Sequence, residues 1–491
     1  MKKTMFLLML SASMLFLTCC SAEDPLEDYG TDNSWGNVDN MPGNNGSQAA
    51  GSMSASDVAL DMTSAEPTDV ATAYFPDEED ILANNDFSTE VTIDLSAPVA
   101  KTENGVEITV NDGHVTANHG ETKKVCYVVS GTTTNGSLTI VGDKKYAVRL
   151  SGVNITNPDS AALNLLSSKR AYIELAEGTT NTLEDGTGGS HKGALYCKGK
   201  LLFNGSGSLS VTGNTNNGIH SADYIVFNKG NNVYVKSTVN NGIKANDGVF
   251  INGGILNVEA TASDAKGINC ESHIKINGGR TIVLATGYDS EGIQADSTLT
   301  IAGGEVVCHT YDDAINSKGD MTISGGYVYA HGQHNDGIDA NGNCYIKGGT
   351  VYAICSGSPE VAIDANTEGG YRLYVTGGTI MAIGGLENGS SLSQTCYQAS
   401  WNTNSWYALS DGTRTFAFQT PSSGGNGLVV SSASEPSLLS GVSVSGGTTY
   451  FSGIGIEDGS VSGGSAVSLS SYTGGNGMGG GPGGGGPGGW R

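Results

Sequence analysis

Apolar residues alternate with polar ones in short runs along the middle of the chain, and the alternation itself recurs every 22 to 25 residues. One set of columns reads Val249, Ile274, Leu299, Met321, Cys344, Leu373 and, two positions on, Ile251, Ile276, Ile301, Ile323, Ile346, Val375. After an intervening Gly-Gly pair come Leu256, Thr281, Val306, Val328, Val351, Ile380, then Val258, Val283, Cys308, Ala330, Ala353, Ala382. A third set follows Gly218-Ile219, Gly242-Ile243, Gly267-Ile268, Gly292-Ile293, Ala314-Ile315, Gly337-Ile338 and Ala362-Ile363, each Ile trailed two residues later by Ser, Ala or Cys. Period-two alternation in runs this short predicts half-buried strands, three to a repeat.

Three short strands cannot bury their apolar face alone, so each repeat gains a core only by lying on its neighbours. The expected fold is therefore all-β: a single-stranded parallel β-helix of about nine or more turns, right-handed by the usual crossover preference. A propeller blade would need about 40 residues and antiparallel hairpins, and the period here is too short. Looser turns at Ala162-Leu163 and Ala194-Leu195 extend the pattern upstream, and strands at 106–110, 125–129 and 138–140 read as its start. The solenoid is assigned to 101–385, and a β-rich continuation or cap to 386–473. From 474 to 491 a Gly-rich run reads as a flexible tail.

Composition divides the rest. Lys2-Lys3 and the apolar run from Met5 to Leu17 form a secretory signal, assigned to 1–19, too short to span a membrane. Leu17-Thr18-Cys19-Cys20-Ser21 resembles a bacterial lipoprotein box, which implies acylation of Cys20, and the Ser21-Ala22-Glu23-Asp24 that follows resembles the export tag of Bacteroidetes lipoproteins. The resemblance implies an outer-membrane anchor and display on the cell surface. Residues 22–100 contain 17 acids and no Lys or Arg. With so little apolar surface, 20–100 reads as an acidic disordered tether. The net charge of −25 argues against nucleic acid as a partner. Seven cysteines follow the signal; Cys197, Cys270, Cys308 and Cys344 fall in inward columns and read as small buried hydrophobes, while the pattern leaves Cys126, Cys355 and Cys396 open.

The candidate chemistry lies at one polar corner of each turn, just before the recurrent Ile. Asp264 and Asp289 share a column there; Glu291, Asp313 and Asp336 share another, Asp312 and Glu360 a third, and Asp339 and Asp364 continue an amide column beyond the Ile. Like charges stacked about 4.8 Å apart repel unless water or a cation lies between them. The spacing suits calcium, whose oxygen ligands lie at about 2.3–2.6 Å, so Asp264, Asp289, Glu291, Asp312, Asp313, Asp336 and Asp339 are the expected ligands. A solvated acidic edge is the other reading. On an outward column, Tyr327, Tyr329 and Tyr352 present rings at even intervals, a surface on which sugars stack, unless the C-terminal region packs over them. Tyr345 and Tyr374 make a similar pair on the first strand.

The Gly337-Ile338-Asp339-Ala340 and Ile346-Lys347-Gly348-Gly349-Thr350-Val351 patterns resemble the secreted carbohydrate-binding β-helix family first known from cellulolytic clostridia. The likeness covers roughly 105–385. It implies a fold related to pectate lyases, calcium in the turns, and binding of cellulose or an acidic glycan such as polygalacturonate; with no recognisable lyase motif, binding without cleavage is the expected function. A calcium-dependent polysaccharide lyase is the first alternative, with Lys244, Lys266, Arg280 and Lys318 the basic residues near the corner; a structural adhesin is the second.

Overall fold

The computed structural model describes residues 60, 66–67 and 71–474. The signal at 1–19, Cys20, most of the tether and the tail from 475 onward lie outside the described residues. Within them the chain is all-β, a parallel solenoid of about 11 turns with no α-helix.

The sequence columns become physical ladders. Ile219 pairs with Ile243, Ile243 with Ile268, Ile268 with Ile293, Ile293 with Ile315 and Ile315 with Ile338, all in parallel register. On the first strand Val249, Ile274, Leu299, Met321, Cys344 and Leu373 pair in the same succession. These ladders fill one continuous core from Val91 to Val429. Like sits on like because a coil closes its apolar face only when neighbouring coils repeat its pattern. The third strands form a 12-stranded sheet; the first and second belong to one 23-stranded sheet, since Gly248–Ala260 and His273–Ala285 run through the corner between them. That corner is sealed by an amide row in which Asn228 donates to Asn204 and Asn277 to Asn252.

The second glycine of each Gly-Gly pair makes the turn. Gly279 has φ +77°, and a Cβ there would sit 2.5 Å from the Gly254 carbonyl oxygen of the coil below. Gly279→Ala is expected to cost about 1–2 kcal/mol from the left-handed backbone alone, and more from the clash, read as a lowered urea midpoint with an unchanged m-value.

Three further features matter, and the first departs from the sequence reading. Residues 71–98, expected in the tether, lie against the solenoid: Thr89–Asp94 is a strand paired with Val125–Thr133, and two 3-10 turns at Glu78–Asp80 and Leu82–Asn84 precede it. This strap covers an apolar outward row, with Phe75, Leu82 and Phe87 on Tyr172, Leu202, Tyr224 and Phe250. Asp80 is fully buried beneath it, bonded by Arg170 Nε at 2.8 Å and by the Tyr224 hydroxyl at 2.7 Å. Secondly, the strands at 406–466 form a separate six-stranded antiparallel sheet, which lies over the second-strand face. Lastly, all seven described cysteines, Cys126, Cys355 and Cys396 included, are free and buried.

Candidate functional site

That overlying sheet removes the expected aromatic platform. Tyr327, Tyr329 and Tyr352 are 7%, 1% and 0% exposed. Tyr327 stacks on Tyr450 at 3.6 Å and donates to Glu457 at 2.6 Å; Tyr329 packs against Phe451, and Tyr352 against Phe418. Their rings hold two layers together and have no face for a sugar. Tyr345 and Tyr374 do pair in register, stacked at 5.1 Å with a 10° interplanar angle, and remain half-buried.

The acidic corner, by contrast, comes together. Its floor is the outward face of the third-strand sheet, where a chain of amides runs along the coils. Lys244 donates to Asn269 at 2.9 Å, Asn269 to Gln294 at 3.2 Å, and Gln294 to Glu291 at 2.7 Å. One coil further, the Asn316 amide bridges two carboxylates, donating to Asp313 at 3.1 Å and Asp339 at 3.0 Å. Asp313 also accepts from the Asp336 backbone N–H at 3.0 Å, and Asp336 from that of Val361 at 2.7 Å. Each carboxylate is thus fixed by the coil above or below it, which orients the group without neutralising it.

The charge is concentrated and poorly balanced. Asp336, Asp339 and Asp364 place carboxylate oxygens within 4.8 Å of one another. Burial, reinforced by the neighbouring Asp339, Asp312 and Glu291, pushes the Asp313 carboxyl up to about 8. Burial and then Asp313 push Asp336 up to about 9, and burial pushes Asp339 up to about 6 despite a hydrogen bond with Asp364. Asp364 is raised by burial and by its pairing with Glu387, and Glu291 by burial despite Lys266 at 3.3 Å. Asp312 and Glu360 are raised for the same first reason.

Of the expected ligands, Asp313, Asp336 and Asp339 share this buried cluster, with Glu291 and Asp312 beside it. Asp289 stands at the rim next to Asp312 and acts on its charge. Asp264 lies exposed two coils upstream of the Asp313 coil, outside the group. Asp289 and Asp264 both occupy the left-handed region, at φ +53° and +58°, which Asp tolerates in a turn. Asp364 and Glu387 are additions to the expected set. Glu387 follows Gly385-Leu386, which is the Gly-Ile signal with a leucine in it, and the Ile363–Leu386 bridge puts it on the same ladder.

The donor set fits a hard divalent cation. Two oxygens that both ligate at about 2.3–2.6 Å lie no more than about 5.2 Å apart, and the Asp336, Asp339 and Asp364 oxygens meet that limit. Asn316, whose amide nitrogen donates to Asp313 and Asp339, has its Oδ1 buried without a hydrogen-bond partner. An unpartnered buried oxygen is costly, and it offers one more neutral ligand of the type calcium takes.

The profile of a family described as carbohydrate-binding domain-containing protein matches residues 111–387. A carbohydrate-binding domain-containing protein of Acetivibrio thermocellus is 29% identical over 152 residues, covering 29% of this chain and 51% of that protein. The chain thus spans about half the length of that curated relative. A solved structure titled as a polysaccharide lyase-like protein from C. thermocellum, a gadolinium derivative, is similar at 24% identity and a TM-score of 0.36, covering 53% of this chain and 92% of its own.

Proposed function

The chain belongs to the carbohydrate-binding domain family, and on that premise we propose that it is a surface lipoprotein, anchored through Cys20, that binds an acidic polysaccharide through calcium without cleaving it. The observation that carries the reading is the carboxylate oxygen cluster of Asp336, Asp339 and Asp364, to which the Asn316 amide ties Asp313. So many carboxylates at one corner would repel a uronate chain; a divalent cation held there offsets part of that charge and leaves coordination for a ligand carboxylate. Asp313, Asp336, Asp339, Asp364 and Asn316 would hold the ion, with Glu291, Asp312 and Asp289 at its edge. When bound, calcium supplies a positive centre for a carboxylate or for sugar hydroxyls.

The basic residues favour binding over elimination. A lyase needs a free base beside the metal to take the proton next to the uronate. Lys244 is paired with Glu271 at 2.9 Å, Lys266 with Glu291 at 3.3 Å, Arg280 with Glu305 at 2.7 Å and Lys318 with Asp296 at 2.7 Å.

Retention on insoluble polygalacturonate tests the reading. The protein is expected to be retained in calcium and released by chelator. Unchanged retention in chelator would remove calcium from the account, and unsaturated uronides appearing by absorbance would make the protein a lyase. A structural adhesin would be retained on neither polygalacturonate nor cellulose.

A further inference from the structure

An aromatic row stands on the rim of the same corner. Tyr288 is 60% exposed, an unusual position for a large ring. Its centroid lies 5.1 Å from that of Tyr311, one coil on, with the planes tilted by 51°. His334, one coil further, stacks on Tyr311 at 4.0 Å and 15°. Three successive coils therefore each contribute one ring, and each ring immediately precedes a polar rim residue: Asp289, Asp312 and Asn335.

The row is built and not incidental. The Tyr288 carbonyl accepts from Asp264 N–H at 2.8 Å, and the Tyr311 carbonyl from His334 N–H at 2.8 Å. Asp312 N–H donates to the Ser290 carbonyl at 2.9 Å between the Tyr288 and Tyr311 coils, so the backbone spacing of the row is set before any ligand arrives and little backbone entropy is left to lose on binding. Tyr311 is held between its neighbours, whereas the tilt and exposure of Tyr288 leave ring surface open to solvent. The apolar C–H face of a pyranose complements such a ring, while its carboxylate and hydroxyls require a polar or charged partner. The rim supplies both within one residue of sequence.

We propose that Tyr288, Tyr311 and His334 form the stacking subsite for a pyranose of an acidic glycan, oriented so that its carboxylate faces the Asp289–Asp312 rim. This rests on the calcium-bridged reading above. It assigns the ring contact to residues outside the buried cluster, so the two are separable. The tyrosines supply sugar contact and specificity and hold no cation.

The test uses the full chain and polygalacturonate oligomers in calcium, with Tyr288→Ala, Tyr311→Ala and Tyr288→Trp. The alanine variants are expected to lose about tenfold in affinity, the scale of one or two lost ring contacts, and to keep the wild-type rise in thermal midpoint on adding calcium. Tyr288→Trp, which keeps a ring, is expected to bind as wild type does. Alanine variants that bind with wild-type affinity, calcium dependence intact, would overturn the subsite and leave the calcium reading standing. Binding that ignores calcium yet falls in the alanine variants would keep the ring contact, overturn the carboxylate orientation toward Asp289 and Asp312, and sink the calcium reading. A wild-type chain that binds no oligomer overturns both.

Discussion

At pH 8, calcium is expected to raise the thermal midpoint of the wild-type protein and to leave that of an Asp336→Asn, Asp339→Asn variant unchanged. Ligand held only by the folded state adds RT ln(1 + [L]/Kd), about 2.7 kcal/mol at a hundredfold excess over Kd. In chelator the order should reverse, because the variant carries two fewer groups whose charge the fold opposes. The pH dependence follows from the same cause. The Asp313 and Asp336 carboxyls are raised to about 8 and about 9, far above the unfolded value of about 3.9. Without a cation the folded state therefore holds the additional protons across that window. Its stability is greatest at the acidic end and falls as pH rises through the folded values. Calcium needs the ionised form, so its stabilising effect should grow over the same rise. Scanning the thermal midpoint from pH 5 to 9, in chelator and in calcium, checks both slopes. Parallel curves, or a variant that still responds to calcium, would remove the cluster as the ion site.

Arg170→Ala is expected to be among the most damaging single changes in the molecule, at about 3–5 kcal/mol, because it strands the fully buried Asp80. The guanidinium reaches three acids of the strap: Asp80 through Nε at 2.8 Å, Glu79 through Nη1 at 3.0 Å and Asp77 through Nη2 at 2.8 Å. Asp77 and Glu79 are half-exposed, and their share is small. The loss belongs to Asp80, so Asp80→Asn combined with Arg170→Leu should recover much of it. Urea unfolding of the single and double variants measures this coupling. Additive losses would mean that the strap is held by its phenylalanines alone.

The solenoid was legible because its physics is repetitive. The Ile219-to-Ile338 ladder and the Val249-to-Leu373 ladder are visible as columns since a coil's apolar face is covered only by its equivalent next door. What covers the outside leaves no such trace. Alternation marks Tyr329 and Tyr352 as outward, but an outward position beneath a second layer looks the same as one facing water. The strap was hidden by averaging: a stretch poor in apolar residues still contains Phe75, Leu82 and Phe87, which suffice to cover one row. The acidic corner was readable as to residue type but not as to depth, so exposed Asp264 ranked with buried Asp336. The ring row was masked by register. Tyr288 lies four residues before Gly292, whereas Tyr311 and His334 lie three before Ala314 and Gly337, and the one-residue offset breaks the column.

The strap runs against the direction of coiling. The Glu66 carboxylate meets Gly230 N–H at 2.6 Å and Ala71 N–H meets Asn277 O at 2.7 Å, whereas Thr89 N–H, later in the chain, meets Lys124 O at 2.8 Å near the first coils. Tension arriving through residue 71 is therefore delivered to the flank at mid-length, not to the first coil. It must peel Tyr74 from Asn252 and then Asp80 from Arg170 before any core ladder bears load. Under such a pull these contacts would yield ahead of the coils that carry the acidic corner.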